Sequence, residues 1–336
     1  MPTRSGRPPT IRDVAVHAGV SKSLVSLVIN DSPLVRPAKR EAVEAAIREL
    51  GYRPNSAARR LGGTALRTVG VLVHDMRQPF HADMVEALNA GFHARDMTML
   101  LGDAQLDRRA DERVVNAFMN MRVDGLVLVG SMVSTEGVLE AVDRLPSVVV
   151  ANLDLIRPRV DASVQDDVEG ARLATEHLIG LGHRRIAHLS GTYGVSIGIR
   201  RDTYVETMRG AGLEPEVVVD DLTTDGAFRV ATRLLGRPDR PTAIFCAADA
   251  VALGALRAAA DLGLTVPGDV SVLGFDNTSL SRAPGIELST VDIGLPEMAQ
   301  AAIELLCDRI ADRDRRRRIR RTAATVVPRR TTAPPA

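Results

Sequence analysis

The feature that most constrains the fold is an alternation of short apolar runs with amphipathic helical stretches after residue 66. Near-continuous apolar strands that alternate with helices are typical of a parallel sheet with helices on both faces. The chain contains more strand–helix units than one small sheet needs, so we expect two similar subdomains. The predicted strands cover 69–73, 97–101, 125–129, 147–151, 185–189, 243–246 and 271–275, and the predicted helices include 82–94, 111–121, 170–181, 227–235 and 250–262.

The first part of the chain has a different pattern. Residues 1–9 are rich in Arg, Gly and Pro, which is typical of a disordered arm. Short helices are predicted at 11–18, 21–30 and 37–50, with Thr10 and Ser21 as N-caps and Gly19 in the turn between the first two. A turn this tight needs the backbone freedom of glycine. Residues 10–53 are therefore predicted to form a helix-turn-helix domain.

Charge is unevenly distributed between these two parts. Residues 1–62 contain eleven Lys or Arg and five Asp or Glu, a net charge of +6, whereas the whole chain has a net charge of +1. A basic head on a mildly acidic body favours a polyanionic partner for the head. Small helical domains often carry excess charge, so charge alone does not decide for DNA.

Several classes of protein are disfavoured. Cys246 and Cys307 lie far apart in apolar surroundings and suggest neither a disulfide framework nor a metal site. The chain has no apolar run of membrane-spanning length and no signal-peptide pattern, so a soluble cytoplasmic protein without a membrane partner is expected. The first predicted strand is followed by HDMRQPF and not by a dinucleotide-binding glycine motif, so no cofactor is expected.

One segment resembles an enzyme motif. GVSIG, residues 194–198, matches the G-x-S-x-G nucleophile elbow, which needs its serine at a strand tip and a histidine later in the chain. The predicted strand ends several residues before Ser196, and all seven histidines precede that serine. We therefore expect no catalytic residues and no enzymatic activity.

The second predicted helix offers a surface suited to DNA. Helical spacing places Lys22, Ser23, Ser26, Leu27 and Asn30 on one outward face. In a helix-turn-helix this face lies in the major groove, with its N-terminal residues nearest the base edges. The alternative is an ordinary helical hairpin whose outer face is solvated.

Three motifs in order carry a family resemblance. TIRDVAVHAGVS begins at Thr10, VSLVIN follows in the second helix, and GYRPNSAARRLGG begins at Gly51. The chain resembles the lactose/galactose repressor (LacI/GalR) family in this combination and onward to about residue 332. The resemblance implies a sequence-specific transcriptional regulator, a repressor, that binds double-stranded operator DNA as a homodimer.

The resemblance also assigns roles in DNA binding. It implies a hinge helix and linker over 54–65, with Leu61 as a wedge in the minor groove; the alternative is that Leu61 docks the linker on the body. Leu27 stands where many members have Arg, so it contacts a thymine methyl group or serves in packing, and the operator sequence stays open. The predicted DNA-binding residues are Thr10, Ser21, Lys22, Ser23, Ser26, Leu27, Asn30, Tyr52, Asn55, Ala58 and Leu61.

For the body, the resemblance implies a periplasmic-binding-protein-like fold. The overall fold class is α/β: a small all-α helix-turn-helix head and a body of two doubly wound parallel-sheet subdomains. The ligand-sensing domain would span 66–332. Subdomain one would cover about 66–165 and 292–322, and subdomain two about 166–291 and 323–332.

A small-molecule effector is expected in the cleft between the subdomains. Motif matches place Phe80, Arg200 and Asp276 there, where the family holds a sugar, polyol or nucleobase-like ligand. The alternatives are a surface ion pair for Arg200 and a turn-forming role for Asp276. Asp249 is expected to be structural, at a helix start. Gln78, His81, Ala248 and Ile293 depart from sugar-binding relatives, so a simple hexose is not favoured.

A basic run covers residues 313–321. The resemblance places it in a linker before a short final strand near 324–327. We interpret it as a solvated charge run; the alternative is a tail that binds nucleic acid.

Overall fold

The structure is a computed structural model. It describes residues 9–29, 32–52, 67–104, 108–130, 135–151, 155, 157–192 and 194–336. The chain divides into two compact units, Met1–Leu66, here called the head, and Arg67–Ala336, here called the body. The predicted hinge helix and linker over 54–65 and all but the last residue of the predicted arm lie outside the described residues.

The head contains three helices, α1 (Ile11–His17), α2 (Lys22–Ile29) and α3 (Pro37–Leu50). A reciprocal cap begins α1: the backbone N–H of Asp13 donates to Thr10 Oγ1 at 3.4 Å, and that of Thr10 donates to Asp13 Oδ2 at 2.7 Å. Gly19 has a φ of 60° and makes the turn into α2. The buried core of the head consists of Val14, Ala15, Val25, Val28, Val35, Val43, Ala46 and Tyr52.

The described part of the body contains two six-stranded sheets. The first has the order β11–β5–β4–β3–β1–β2, with parallel pairing throughout. The second has the order β12–β10–β9–β8–β6–β7, in which only β12 runs antiparallel to its neighbour. The strands are β1 (Thr68–Val73), β2 (Thr98–Asp103), β3 (Gly125–Val129), β4 (Ser147–Val150), β5 (Val160–Gln165), β6 (Ile186–Gly191), β7 (Glu216–Asp220), β8 (Ala243–Cys246), β9 (Ser271–Asp276), β10 (Ser289–Asp292), β11 (Ile319–Thr322) and β12 (Thr325–Val327).

Helices cover both faces of each sheet. Along β1, Val71 and Val73 pack in the cluster that includes α4 and α11, whereas Leu72 packs on the opposite face against α5 and α6. Alternate side chains of a strand point to opposite faces, so a strand buried on both is apolar throughout. The helices are α4 (Pro79–His93), α5 (Arg108–Met121), α6 (Glu136–Arg144), α7 (Asp167–Gly180), α8 (Val195–Gly210), α9 (Thr224–Leu235), α10 (Asp249–Asp261) and α11 (Leu295–Ala311), with a 3₁₀ turn at Ser279–Arg282.

The chain passes between the two sheets three times. It leaves the first sheet after β5, returns after β10, and leaves again between β11 and β12. These connections put the carboxyl ends of parallel strands from both sheets at the same crevice. A predicted α/β class with a helical head and a two-sheet body is confirmed by this arrangement. None of the helices in the described ranges is long and apolar enough to cross a membrane.

The basic run, residues 313–321, is not fully solvated as predicted. Asp161, fully buried in β5, forms ion pairs with Arg309 at 2.8 Å and with Arg315 at 2.7 Å, and it accepts the backbone N–H of Arg318 at 2.7 Å. A buried carboxylate needs such partners, because an unpaired charge in the interior is costly. The interpretation as a solvated run is therefore wrong for Arg315, and part of the run, Ile319–Thr322, forms β11.

Candidate functional site

A cavity of about 130 Å³ lies where the carboxyl ends of the two sheets face each other. Crevices at the carboxyl ends of strands are the usual ligand sites of open α/β sheets. Phe80, Arg200 and Asp276, the three predicted ligand-binding residues, all line this cavity, hereafter called the cleft.

Arg200 is the central cation of the cleft. It projects from α8, is 4% exposed, and lies with its guanidinium carbon 3.7 Å from the ring centroid of Phe275. Its Nε donates to Asp167 Oδ1 at 2.7 Å, and its Nη1 donates to the carbonyl of Ala247 at 2.6 Å and to Asp276 Oδ1 at 3.4 Å. Burial disfavours the charged guanidinium, but the two carboxylates outweigh it and raise the pKa of Arg200. Arg200 and both of its carboxylate partners are buried, so the alternative of a surface ion pair for Arg200 does not hold.

Asp276 ends β9 in a rare backbone conformation, with a φ of 106°, and is followed by Asn277 with a φ of 51°. The side chain of Asp276 is 9% exposed. Burial raises the pKa of Asp276 to about 8; Arg200 opposes this shift, while the nearby carboxylates of Asp249 and Asp167 add to it. Asp276 is therefore poised to exchange a proton near neutral pH.

Asp249, the first residue of α10, lies behind the cleft and supports the turn after β9. Its Oδ1 accepts from Thr290 Oγ1 at 2.6 Å, and its Oδ2 accepts from the backbone N–H and the hydroxyl of Thr278. Burial raises the pKa of Asp249 to about 6, against the lowering effect of these hydrogen bonds. The position at a helix start agrees with the structural role predicted for this residue.

The wall from the first sheet carries aromatic side chains. Phe80 is half-buried at the start of α4, and its ring meets that of His81 edge-on at a centroid distance of 5.6 Å. His81 Nδ1 lies 2.6 Å from the carbonyl oxygen of Asp75, which only accepts, so Nδ1 holds the proton and Nε2 is an acceptor. Burial lowers the pKa of His81 and of its neighbour His74, which favours the neutral form of both imidazoles.

The departures from sugar-binding relatives fall in different places. Ala248 lines the cleft, whereas Ile293 is fully buried in the apolar core. Gln78 reaches across the cleft, with its Nε2 3.5 Å from the carbonyl of Leu222. A second contact joins the two sides: Asp83 of α4 accepts from the backbone N–H and hydroxyl of Ser279 at 2.6 and 2.7 Å.

Three polar residues near the cleft were not predicted from the sequence. Gln165 ends β5, Asp167 begins α7, and Ser196 lies in the first turn of α8. The amide of Gln165 donates to the carboxylate of Asp167 and contacts Ser196 Oγ. The available signal was a polar residue at the carboxyl end of a strand, just before the chain crosses to the second sheet.

In the head, the predicted DNA-facing surface of α2 is accessible. The side chains of Lys22, Ser23, Ser26 and Leu27 are exposed, and Leu27 retains 40% of its surface. Ser21 caps the helix by accepting the backbone N–H of Leu24 at 3.2 Å. An exposed face with these small polar groups and one cation is suited to a DNA groove.

The remaining predicted DNA contacts divide into two groups. Thr10 is exposed at the start of α1. Tyr52 is only 8% exposed and packs in the head core, and its contact with DNA stays a prediction. Asn30, Asn55, Ala58 and Leu61 lie outside the described residues.

Comparisons with known proteins give consistent matches. A family model described as bacterial regulatory proteins, lacI family, matches residues 10–55, and a periplasmic binding protein-like domain matches residues 175–332. The HTH-type transcriptional repressor PurR of Erwinia tasmaniensis is 33% identical over 333 residues, covering 96% of this chain and 97% of that protein.

Solved structures match over nearly the whole chain. The lac repressor dimer bound to operator and the anti-inducer ONPF has 27% identity and a TM-score of 0.83, covering 97% of this chain and 100% of that one. The complex of the transcriptional regulator CelR with cellobiose has 30% identity and a TM-score of 0.71, covering 96% and 99%.

Proposed function

Because the chain belongs to the LacI family of bacterial regulatory proteins, we propose that it is a repressor whose operator affinity is set by a small polar ligand in the cleft. The observation that carries this proposal is the presence of two separate sites in one chain. The head has an exposed α2 face, and the body has a cleft with a buried Arg200–Asp276 pair. Two distinct sites coupled by a conformational equilibrium are what ligand-controlled DNA binding requires.

In this proposal the protein binds DNA as a dimer. One head reads a half-site, so two copies are needed for a palindromic operator. Lys22, Ser23, Ser26 and Leu27 lie in the major groove, and Leu61 enters the minor groove as a wedge. The solved relative described as a lac repressor dimer bound to operator supports this arrangement.

In the body, ligand binding is assigned to Phe80, Arg200 and Asp276, between subdomain one (about 66–165 and 292–322) and subdomain two (about 166–291 and 323–332). Phe80 supplies an apolar face, while Arg200 and Asp276 supply a fixed donor and acceptor. The solved complex of CelR with cellobiose supports a sugar-like ligand for this class of cleft.

Enzymatic activity is not part of the proposal. Ser196 lies within α8, after β6 has ended at Gly191, and so lacks the strand-tip position of a nucleophile elbow. In the described ranges, no cluster of three or more His, Cys, Asp or Glu side chains is placed to hold a metal ion. Membership of a regulatory family agrees with a binding role.

The test uses the full chain, an operator selected from random DNA, and a ligand found by thermal shift. Specific binding should exceed binding to scrambled DNA by about 10³-fold or more at one salt concentration. Arg200→Ala should abolish the change in operator affinity that the ligand causes. The matched control is Arg201→Ala, which removes a partly exposed arginine that pairs with Asp202 on the surface. Equal affinity for operator and scrambled DNA would refute the function, and a normal ligand response in Arg200→Ala would refute the assigned cleft.

A further inference from the structure

Gln165 occupies a special position in the cleft. It is the last residue of β5, immediately before the chain crosses to the second sheet, and it is 2% exposed. Its side chain lines the cleft. Its Nε2 lies 3.0 and 3.1 Å from the two carboxylate oxygens of Asp167 and 3.4 Å from Ser196 Oγ.

These contacts fix the orientation of the amide. A carboxylate only accepts hydrogen bonds, so the NH₂ group of Gln165 must face Asp167 and Oε1 must face the other way. Oε1 is buried and has no hydrogen-bond partner among the described residues. An unpaired buried acceptor costs about 1–3 kcal/mol, so a ligand donor that reaches Oε1 would relieve this cost.

A second acceptor lies on the same side of the cleft. Nδ1 of His81 is bound to the carbonyl of Asp75, which leaves the lone pair of Nε2 for another donor. His74, which also lines the cleft, has a buried Nδ1 without a partner in the described structure. Among the described residues, the wall formed by the first sheet thus leaves two acceptors unsatisfied, Gln165 Oε1 and His81 Nε2, together with one buried ring nitrogen of His74.

The opposite wall does not supply a surplus of positive charge. Arg200 uses Nε and Nη1 on Asp167, Ala247 and Asp276, so in the described structure Nη2 is the part of its guanidinium that remains for a ligand. Two carboxylates share this one guanidinium. Asp167 alone balances the guanidinium, and Asp276, whose pKa is about 8, adds a second negative charge when it ionises. An anionic ligand would therefore enter a site without surplus positive charge, in surroundings of low dielectric constant.

We propose that the cleft selects a ligand rich in hydrogen-bond donors and either uncharged or cationic, and that Gln165 is a specificity-determining acceptor for it. Hydroxyl groups satisfy both walls, since each donates to an acceptor such as Gln165 Oε1 and accepts from Arg200 Nη2. Amino groups satisfy the acceptors and also complement the carboxylates. Phosphorylated and carboxylated analogues are rejected. This inference rests on the proposed function of the cleft.

The first test compares matched ligands by thermal shift on the full chain in phosphate-free buffer. Glucose is compared with glucosamine, glucose 6-phosphate and gluconate, ribose with ribose 5-phosphate, and adenine with adenosine monophosphate. At least one uncharged or cationic member should stabilise the protein, and its anionic counterpart should bind at least about 100-fold more weakly. The proposal is overturned if an anionic member stabilises as much as its parent, or if no uncharged or cationic member stabilises.

The second test asks whether Gln165 carries the selectivity. Gln165→Met keeps the side-chain length but removes the acceptor, and Gln165→Asn keeps an amide that is too short to reach. Each should weaken the stabilising ligand about 10- to 100-fold. Analogues of that ligand that each lack one hydroxyl or amino group are then compared. Removal of one such group should reduce the affinity of wild type much more than the affinity of either variant. The control is Gln300→Met, at an exposed glutamine of α11 that donates only to Glu304.

Both outcomes are separable from failure of the proposed function. Thermal unfolding verifies that Gln165→Met and Gln165→Asn are folded. If either folded variant bound the ligand with wild-type affinity, the proposed role of Gln165 would be overturned. Operator binding is measured independently with the selected DNA. Lost ligand selectivity with intact operator binding contradicts only the inference about the cleft, whereas absent operator binding contradicts the regulatory function alone.

Discussion

The carboxylate of Asp249 accepts both the backbone N–H and the hydroxyl of Thr278, each at 2.8 Å. Thr278 directly follows Asp276 and Asn277, whose positive φ angles are unfavourable for side-chain-bearing residues. Such strain persists only where the surroundings enforce it. Asp249 therefore holds the turn that aims Asp276 at Arg200, although it lies behind the cleft.

Replacing Asp249 with alanine should reduce both stability and ligand affinity. The substitution leaves the hydroxyls of Thr278 and Thr290 without their acceptor and frees the strained turn. The loss of stability should be about 2–4 kcal/mol, with at least a tenfold loss of affinity as Asp276 moves. Denaturant unfolding and ligand titration measure the two effects.

The matched control is Asp225→Ala. Asp225 lies in the first turn of α9 and is exposed, with a long 3.8 Å pair to Arg257. Its removal should change stability by about 0.5 kcal/mol or less and should not alter ligand affinity. If Asp249→Ala lost stability but bound ligand as tightly as wild type, Asp249 would be a stabilising residue with no positioning role.

Ligand affinity should increase with pH across the neutral range. In the free protein Asp276 has a pKa of about 8, whereas a donor-rich ligand favours the ionised carboxylate. Binding below this pKa therefore releases a proton, and affinity should rise up to tenfold per unit from about pH 6 to about pH 8, then level off. Burial lowers the pKa of His81 from its ordinary value, so titration of that imidazole does not account for a rise in affinity that continues to about pH 8. Asp276→Asn should flatten the profile, and a wild-type affinity that falls with rising pH would contradict the assignment.

Much of the fold follows from hydrophobic pattern. The predicted strands at 125–129 and 243–246 coincide with β3 and β8, whose residues are all buried. β7 and β11 were not predicted, because both lie at sheet edges. β7 has only three consecutive apolar residues between two acidic ones, none of them fully buried, and β11 is mostly polar. β5 was missed for another reason: it contains Asp161, whose buried state depends on Arg309, far away in the sequence.

The site was predictable only where a motif marked it. Phe80, Arg200 and Asp276 stand in recognisable segments, and the structure brings all three to one cavity. Gln165 and Asp167 belong to none of the recognisable motifs, and their importance comes from their position where the chain crosses between the two sheets. A local sequence pattern cannot show that an amide oxygen in that crossing has no partner.

The buried pair of Asp161 and Arg309 provides a test of the corrected basic run. Asp161→Ala would leave Arg309, 1% exposed, without its carboxylate and would also free Arg315. Removing one partner of a buried ion pair typically costs about 3–5 kcal/mol. A fall in the urea midpoint should report this loss. The control Glu287→Ala breaks an exposed pair with Arg330 and should cost about 1 kcal/mol or less; similar effects of both substitutions would contradict the structural role of the run.

Leu27 should determine which base the head prefers at one operator position. It is exposed on α2, and its side chain has no group that hydrogen-bonds to a base edge. Leu27→Arg introduces a bidentate donor for guanine, so selection from random DNA should shift that position towards guanine by about 1–3 kcal/mol. Val16→Arg is the matched control, since it adds the same charge at an exposed site on α1. Extra charge alone strengthens binding to every sequence and steepens the salt dependence, so Val16→Arg should leave base preference unchanged. If both variants strengthened binding equally on all sequences, Leu27 would lie outside base-reading distance, and the docking of α2 in the major groove would have to be revised.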